Sequence, residues 1–202
     1  MPEKLDLFKA HQAEYAMPKQ PALVRVGPAT YLAIDGEGDP NGPGFAEAMG
    51  GLYAMAWTIK MRKKFGEGME YKVAPLEGLW WRAGGEPIQA GGPAADWRWT
   101  ALIRTPEFVA GADLENARQE LARKGRSPAA QRVRLEVLEE GDCVQVLHVG
   151  PFSAETPTIE AMHAFAAAQG RAPRGKHHEI YLSDPRRVPP ERLRTIIRQP
   201  VA

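Results

Sequence analysis

The residues best suited to chemistry lie in a short segment near the C-terminus, His177-His178-Glu179-Ile180-Tyr181. Ile180 and Leu182 alternate with polar residues, and this period of two predicts a β-strand. Glu179 and Tyr181 therefore share the polar face. A carboxylate in that position can take a proton from water, and a phenol can donate a hydrogen bond to a developing oxyanion. On an exposed strand the same Glu179 would be an ordinary surface residue or an ion-pair partner.

Two adjacent histidines begin the same strand, and their spacing argues against a metal centre. His177 and His178 point to opposite faces, and neither a cysteine nor a third histidine lies near them in sequence. We therefore expect no metal and no cofactor. The single cysteine, Cys143, lies in a predicted strand and is expected to be a small core residue.

Tryptophans form the second group of candidates, because indole faces hold planar ligands by stacking and cations by cation–π attraction. Trp97 and Trp99 alternate along a predicted strand over residues 96–104 and therefore share a face. Trp80 and Trp81 are adjacent and point to opposite faces. At least one of that pair is expected to serve packing only.

Three further aromatic residues are candidates for a ligand-binding wall. Tyr53 and Trp57 are one helical turn apart and share a flank of a predicted helix, where they either contact a ligand or belong to the core. Phe152 follows Gly150-Pro151 and either lines a groove or packs against the next helix.

The elements that must position these residues are read from apolar periodicity and from turn residues. Thr105 and Pro106 are expected to start the second helix, and residues 132–138 and 143–149 are expected to pair as a hairpin. A glycine-rich loop is predicted around residues 84–92. Strands are predicted at 21–26, 31–38, 70–81, 96–104, 132–138, 143–149, 177–185 and 194–201, and helices at 45–65, 105–124 and 157–169.

A short internal repeat indicates how these elements are organised. Glu-Ala-Met occurs at residues 47–49 and again at 160–162, each time within a predicted helix. The sequence thus predicts an α+β fold of two fused strand-helix-strand-strand modules related by a pseudo-twofold, with antiparallel sheets and a ligand groove at their junction. The modules cover residues 21–105 and 130–202, a connector helix covers 106–125, and residues 1–20 form a loosely attached lead-in.

Composition narrows the range of partners. The chain has 202 residues, a formal net charge of +1 and 44% hydrophobic residues, values typical of a globular protein. The balanced charge gives no case for nucleic acid or a membrane surface. The charged N-terminus does not resemble a signal peptide, so we expect a cytoplasmic location.

Several segments together resemble one family. They are Leu76-Glu77-Gly78-Leu79-Trp80-Trp81, Trp97-Arg98-Trp99, the run from Ile103 to Val109, and His178-Glu179-Ile180-Tyr181-Leu182-Ser183-Asp184-Pro185. Over roughly residues 24–201 the chain is similar to the GyrI-like small-molecule-binding proteins. The last segment is the most specific part of the resemblance.

The resemblance implies a small-molecule ligand that is planar, aromatic and either cationic or electrophilic. Glu179 corresponds to the family's central glutamate, and Trp80, Trp81, Trp97 and Trp99 correspond to its aromatic pocket. Stand-alone members resemble hydrolases that open the cyclopropane ring of DNA-alkylating natural products, which implies detoxification. Two alternatives stay open, a non-catalytic multidrug binder and a gyrase-modulating interaction protein. A transcription-regulator role is less expected, because no helix-turn-helix segment is evident.

Overall fold

Alternating apolar residues build one curled antiparallel sheet in the computed structural model, which describes residues 4–84 and 93–202. Within these ranges the sheet has eight strands and is accompanied by four α-helices, which agrees with the predicted mixture of helix and antiparallel strand. Most of the predicted glycine-rich loop lies outside the described residues.

The strand order places the last two strands at the centre of the sheet. The order is β1-β6-β8-β7-β3-β4-β2-β5, and every neighbouring pair is antiparallel. The strands are β1 Ala22–Val26, β2 Ala29–Glu37, β3 Leu76–Arg82, β4 Trp97–Arg104, β5 Arg134–Leu138, β6 Gly141–Val149, β7 His177–Tyr181 and β8 Arg194–Pro200. The helices are α1 Leu7–Ala10, α2 Pro43–Glu67, α3 Gly111–Arg123 and α4 Thr156–Ala168.

The helices α2 and α4 cover one face of the sheet, which we call the front face. It carries Trp80, Trp99 and Glu179, whereas the back face carries Glu77 and His178. The helix α2 packs on β2 and β4, and α4 packs on β6. Each helix buries its own apolar cluster against the sheet. The central strands β7 and β3 therefore lie at the junction between the two helix-covered halves.

The predicted hairpin between β5 and β6 is wrong. Strand β5 pairs with β2, and β6 pairs with β1 and β8. Gly141 starts β6 with φ +68°, a left-handed conformation that lets the chain leave the β5 direction within two residues. Strand β1, from the N-terminal half, thus pairs with the outer edge of β6, and β5, from the C-terminal half, pairs with the outer edge of β2. This exchange of strands leaves fewer backbone groups of the long strands β2 and β6 unpaired.

The connector helix begins six residues later than predicted. Thr105 belongs to an extended stretch, because its amide and its hydroxyl both donate to the Thr30 carbonyl, at 2.9 and 3.2 Å. The helix α3 starts at Gly111, where Asp113 Oδ2 accepts a hydrogen bond from the Ala110 amide at 2.9 Å. This reciprocal contact satisfies a backbone donor at the helix start, and Thr105 makes no such contact.

The expectation of a loosely attached lead-in is wrong from residue 4 onward. The Tyr15 ring is 3% exposed, and its hydroxyl donates to Glu77 Oε1 at 2.7 Å. The side chain of Arg198 donates to the Glu14 carbonyl at 2.6 Å. The N-terminal segment therefore covers part of the back face of the sheet. In the described ranges, no helix is both long and apolar enough to cross a membrane.

Candidate functional site

Residues His177–Tyr181 form strand β7, as their alternating pattern predicts, and the strand lies in the middle of the sheet and presents Glu179 on the front face. Its neighbours in register are Gly78 on β3 and Ile197 on β8. Glu179 is 9% exposed, so its carboxylate is removed from bulk solvent. Burial of a carboxylate is costly unless the surroundings compensate for it, which makes this position a candidate site.

An aromatic cluster lies beside this carboxylate on the same face. The Phe45 ring of α2 stacks on Trp80 at a centroid distance of 6.0 Å and meets the edge of Trp99 at 4.9 Å. Trp97 contacts Trp80 edge-on at 5.5 Å, and Phe152 contacts Tyr181 edge-on at 5.7 Å. Offset and edge-on rings of this kind provide both apolar area and π-faces for a planar ligand.

A shallow depression, which we call the hollow, lies within this cluster, but the side chains pack so closely that it has no room for a water molecule. Ligand pockets usually hold roughly 300–1,000 Å³, so a ligand of ordinary size requires the aromatic side chains to move apart. The hollow is lined by Phe45, Leu76, Glu77, Gly78, Trp80, Trp99, Thr100, Ala101 and Tyr181.

Two glycines allow the rings to lie flat on the sheet. A Cβ atom on Gly36 would overlap the Trp99 ring. A Cβ atom on Gly78 would lie 2.7 Å from Trp80 Nε1 and 3.0 Å from the Tyr181 hydroxyl oxygen. The absence of a side chain at Gly78 therefore makes room for the contact between Trp80 and Tyr181.

Tyr181 connects the aromatic cluster to the carboxylate. Its hydroxyl accepts a hydrogen bond from Trp80 Nε1 at 2.9 Å. Burial, followed by the negative charge of Glu179 and a hydrogen bond with it, raises the pKa of Tyr181 well above its ordinary value. The phenol therefore stays protonated at neutral pH and can donate its proton to a hydrogen bond.

Glu155 supplies a second carboxyl group, which the sequence analysis missed. It is 5% exposed and lies at the N-terminal end of α4. Burial, followed by the charge of Glu179, raises the pKa of Glu155 to about 9, while the nearby Thr195 acts in the opposite direction. Two interacting carboxyl groups in a buried site share a proton, because both cannot ionise easily.

Histidines surround the carboxyl pair and retain hydrogen-bonding capacity. His177 Nε2 lies 3.1 Å from Glu179 Oε1. Within the described part of the chain, five buried atoms near this site have no hydrogen-bond partner: Glu155 Oε1, His177 Nδ1, His163 Nε2, Thr195 Oγ1 and Trp99 Nε1. Burial, and then the nearby His177, lowers the pKa of His163. Buried polar atoms usually have partners, so a group of exceptions at one place indicates a site prepared for a polar guest.

The back of the same strand has the opposite character. His178 is fully buried, and its Nδ1 and Nε2 lie 2.9 Å from Glu140 Oε1 and 3.0 Å from Glu77 Oε2. Arg198 donates to the second oxygen of Glu140 at 2.6 Å. Each charged group in this network has a partner. Among the residues described, no group of three histidine, cysteine or acidic side chains has the geometry to hold a metal ion.

The structure brings together most of the residues proposed from sequence. Glu179 and Tyr181 adjoin Trp80, and the rest of the group is Trp97, Trp99 and Phe152. Tyr53 lies on the outer side of α2 and is 36% exposed. The partial burial of its ring, followed by the charge of Asp184, raises the pKa of Tyr53.

Two tryptophans of the proposed set lie elsewhere. Trp81 is on the back face, with Lys176 Nζ 3.6 Å above its ring. Trp57 is 48% exposed on α2, with Lys60 Nζ 4.5 Å from its ring centroid. On α2 the Phe45 ring contacts Trp80 and Trp99, and Phe45 lies about two turns before Tyr53.

A buried carboxyl pair beside an aromatic hollow, between two helix-covered halves of an antiparallel sheet, defines a small-molecule-binding protein of the α+β class. The GyrI-like small molecule binding domain model matches residues 19–202. The chain therefore belongs to the GyrI-like family, and the resemblance seen in the sequence is confirmed. No curated protein matches the sequence.

Solved structures extend this comparison. An uncharacterized conserved protein from Listeria innocua is 41% identical, with a TM-score of 0.90 over 98% of this chain and 100% of that one. A hydrolase from Listeria innocua is 38% identical, with a TM-score of 0.87 over 98% and 100%. The EcmrR C-terminal domain shares the fold, at 10% identity and a TM-score of 0.58 over 91% and 97%.

Proposed function

We propose that this protein binds planar, electrophilic aromatic molecules in the front-face hollow and hydrolyses them, opening a strained cyclopropane ring. The observation that carries the proposal is the carboxyl pair of Glu155 and Glu179, buried beside the aromatic cluster with Tyr181 in contact. The hydrolase from Listeria innocua, similar over nearly the whole chain, supports the reaction class. The biological role would be detoxification of DNA-alkylating compounds.

The pair divides acid and base roles between its members. Glu179 accepts a proton from a water molecule, and the water oxygen bonds to the ring carbon. The strained carbon–carbon bond breaks, and its electron pair moves into the conjugated acceptor oxygen. That oxygen takes up a proton from Glu155, which holds one at neutral pH because its pKa is raised to about 9. The net change is the addition of one water molecule.

The aromatic cluster supplies binding and orientation. Trp80 and Trp99 offer indole surface on the floor of the hollow, and Phe45 closes it from α2. When a planar ligand enters, its contacts with the aromatic side chains replace the contacts that these side chains make with one another. Binding therefore requires few new polar contacts. A cationic ligand gains roughly 0.5–2 kcal/mol for each good cation–π contact, which would also give the site multidrug-binding character.

The symmetry expected from the sequence forms part of the same proposal. The half-sheets β5-β2-β4-β3 and β1-β6-β8-β7 have equivalent orders, with α2 and α4 at equivalent places. We therefore treat β2-α2-β3-β4 and β6-α4-β7-β8 as two strand-helix-strand-strand modules. The strand that precedes each module, β1 or β5, pairs with the other module. In this arrangement the site lies where β3 of one module meets β7 of the other.

Product analysis tests the proposed activity. The purified protein is incubated with a cyclopropane-bearing aromatic alkylator, and the ring-opened, hydrated product is followed by chromatography and mass spectrometry. Because the amide introduced by Glu179→Gln cannot accept the proton of water, we expect turnover to fall about 10²–10⁴-fold.

The matched control is Glu160→Gln, which changes an exposed glutamate of α4 and should leave turnover unchanged. Equal turnover by Glu179→Gln and the parent protein would contradict the assignment of Glu179. Quenching of tryptophan fluorescence by planar cations with no product formed would instead support a binder without catalytic activity.

A further inference from the structure

The segment that carries Glu155 is held to the sheet by one row of side chains. Tyr181 on β7, Thr195 on β8 and His148 on β6 are direct neighbours in register on the front face. Tyr181 contacts the Phe152 ring edge-on at 5.7 Å, and Thr195 lies close to the Glu155 carboxyl group, with its buried Oγ1 lacking a hydrogen-bond partner within the described residues. His148, the outermost member of the row, remains to be explained.

His148 makes hydrogen bonds to this segment on both sides of Glu155. Its Nε2 lies 3.3 Å from the Pro151 carbonyl oxygen, and its Nδ1 lies 3.0 Å from the Thr158 hydroxyl. In the neutral ring with the proton on Nε2, Nε2–H donates to Pro151 and Nδ1 accepts from Thr158. The ring is 6% exposed, so both contacts are protected from competition with water.

The backbone on the N-terminal side of Glu155 has little freedom. Gly150 has φ +143°, a conformation that favours glycine, and its amide donates to the Leu193 carbonyl at 3.0 Å. A Cβ atom there would lie 3.2 Å from His148 Nε2. The Pro151 carbonyl also accepts from the Ala154 amide at 2.9 Å, which closes a 3₁₀ turn. The next residue is Glu155, so its place follows from this turn.

We infer that His148 is a positioning residue, which fixes the turn at Pro151 and the first turn of α4 so that Glu155 faces Glu179. The inference rests on the proposed function, since it assigns His148 to the same site. His148 itself does not line the hollow. It acts through the two hydrogen bonds that bracket Glu155, and it sets the geometry of the proton donor.

Steady-state kinetics with the cyclopropane-bearing alkylator test the inference. A displacement of about 1 Å at a reacting group can cost about 10²-fold in rate, so we expect His148→Ala to lower kcat by that factor and to leave KM nearly unchanged. His148→Gln retains one donor and one acceptor and should recover most of the loss. Thr158→Val, which removes a single hydrogen bond, should give a smaller loss in a protein that folds normally.

The control for these variants is Val149→Ala, the next residue on β6, which is 56% exposed. It should leave kcat and KM as they are. Equal kcat for His148→Ala and the parent protein, with both folded by circular dichroism, would overturn the inference.

A second measurement does not depend on hydrolysis. Carboxyl carbon NMR of the ligand-free protein follows the titration of Glu155, expected near pH 9 in the parent protein. In His148→Ala and Thr158→Val it should move toward the ordinary value of 4.5, because Glu155 is no longer held beside Glu179. If the parent protein hydrolyses no alkylator but this titration moves, the proposed function fails and the positioning role stands. If turnover occurs and the titration stays fixed in both variants, the positioning role fails alone.

Discussion

On both sides of strand β7 a histidine lies next to glutamate, and the two sides use this contact differently. On the back, His178 lies between Glu77 and Glu140 at 3.0 and 2.9 Å, and both of its ring nitrogens have a carboxylate partner. On the front, His177 contacts Glu179 at 3.1 Å, but within the described residues its Nδ1 has no partner. The comparison separates a charge network that is complete from one that leaves capacity for a ligand.

The difference also appears in the protonation of the acids. Burial acts to raise the pKa of Glu140, but the charges of His178 and Arg198 and their hydrogen bonds lower it to about 2. Glu155 has no cation in that role, and its pKa is raised to about 9. A buried acid whose charge is neutralised stabilises the fold, whereas a buried acid that holds a proton is available for chemistry.

The largest effect is expected from breaking the back network. His178→Ala leaves Glu77 and Glu140 buried without the imidazolium between them, and removal of one partner from such a network costs about 3–5 kcal/mol. Urea unfolding at neutral pH measures the loss. His11→Ala, at a partly exposed histidine, is the control and should cost less than about 0.5 kcal/mol. A similarly small loss for His178→Ala would remove the distinction between the two faces.

The front face should respond in the opposite way. We expect Glu155→Gln to lower turnover of the alkylator by about 10²-fold or more, because the proton donor is lost. Its stability should stay the same or increase, since the variant no longer buries two interacting carboxyl groups. Kinetics and urea unfolding on one preparation measure both quantities. A loss of stability as large as that of His178→Ala would show that Glu155 belongs to the structural network.

The pH dependence of stability separates the two faces within one experiment. The folded-state pKa of Glu155, about 9, exceeds its ordinary 4.5, so the folded protein binds the extra proton and loses stability as pH rises from 4.5 to 9. Burial acts to lower the pKa of His178, but the charge of Glu140 and hydrogen bonds to Glu140 and Glu77 raise it from 6.5 to about 9. Its contribution is complete below pH 6.5 and is lost between 6.5 and 9.

Between pH 4.5 and 6.5, therefore, Glu155 is the group that lowers the free energy of unfolding as the pH rises. The slope can reach about 1.4 kcal/mol per pH unit for one proton. We expect Glu155→Gln to remove this downward component in that window, where the lowered pKa of His163 contributes a rise with pH, and to retain the decline above it. Below pH 4.5 both proteins should lose stability together as Glu140 becomes protonated. Identical slopes from 4.5 to 6.5 would contradict the raised pKa of Glu155.

The smallest effect concerns the floor of the hollow. Gly78→Ala places a methyl group 2.7 Å from Trp80 Nε1, and crowding of this kind costs about 1 kcal/mol or more. The Trp80–Tyr181 hydrogen bond should break, which a shift in tryptophan emission would report. At Gly50 on α2, an added Cβ would meet nothing within 4 Å, so Gly50→Ala should stabilise by roughly 0.5–1 kcal/mol. Unchanged tryptophan emission in Gly78→Ala would show that the hydrogen bond between Trp80 and Tyr181 does not need a glycine at position 78.

Local pattern predicts β7 and the division of its faces well, because alternation along a strand is a property of neighbouring residues. The same holds for α2, whose apolar stripe and exposed flank follow from a period of 3.6. The pattern does not say which flank meets the other half of the protein. Phe45 lies on the apolar stripe and reaches the aromatic cluster, whereas Trp57, on the flank of the stripe, stays 48% exposed.

Contacts between distant segments account for what the sequence did not predict. Glu155 lies in a loop with no motif, and its significance comes from Glu179, which lies 24 positions later. The exchange of β1 and β5 depends on edge pairing between halves, and the attachment of residues 4–20 depends on acceptors such as Glu77. The two faces of β7 differ in whether each buried polar atom has a hydrogen-bond partner, and this can be seen only in the folded chain.

A crystal structure of the Glu179→Gln variant soaked with the cyclopropane-bearing alkylator tests the central claim most directly. We expect the planar ring system to lie against Trp80 and Trp99, with the cyclopropane carbon facing the substituted side chain at position 179 and the acceptor oxygen near Glu155. A ligand bound against the exposed Trp57 or on the back face, with the front hollow still closed, would contradict it.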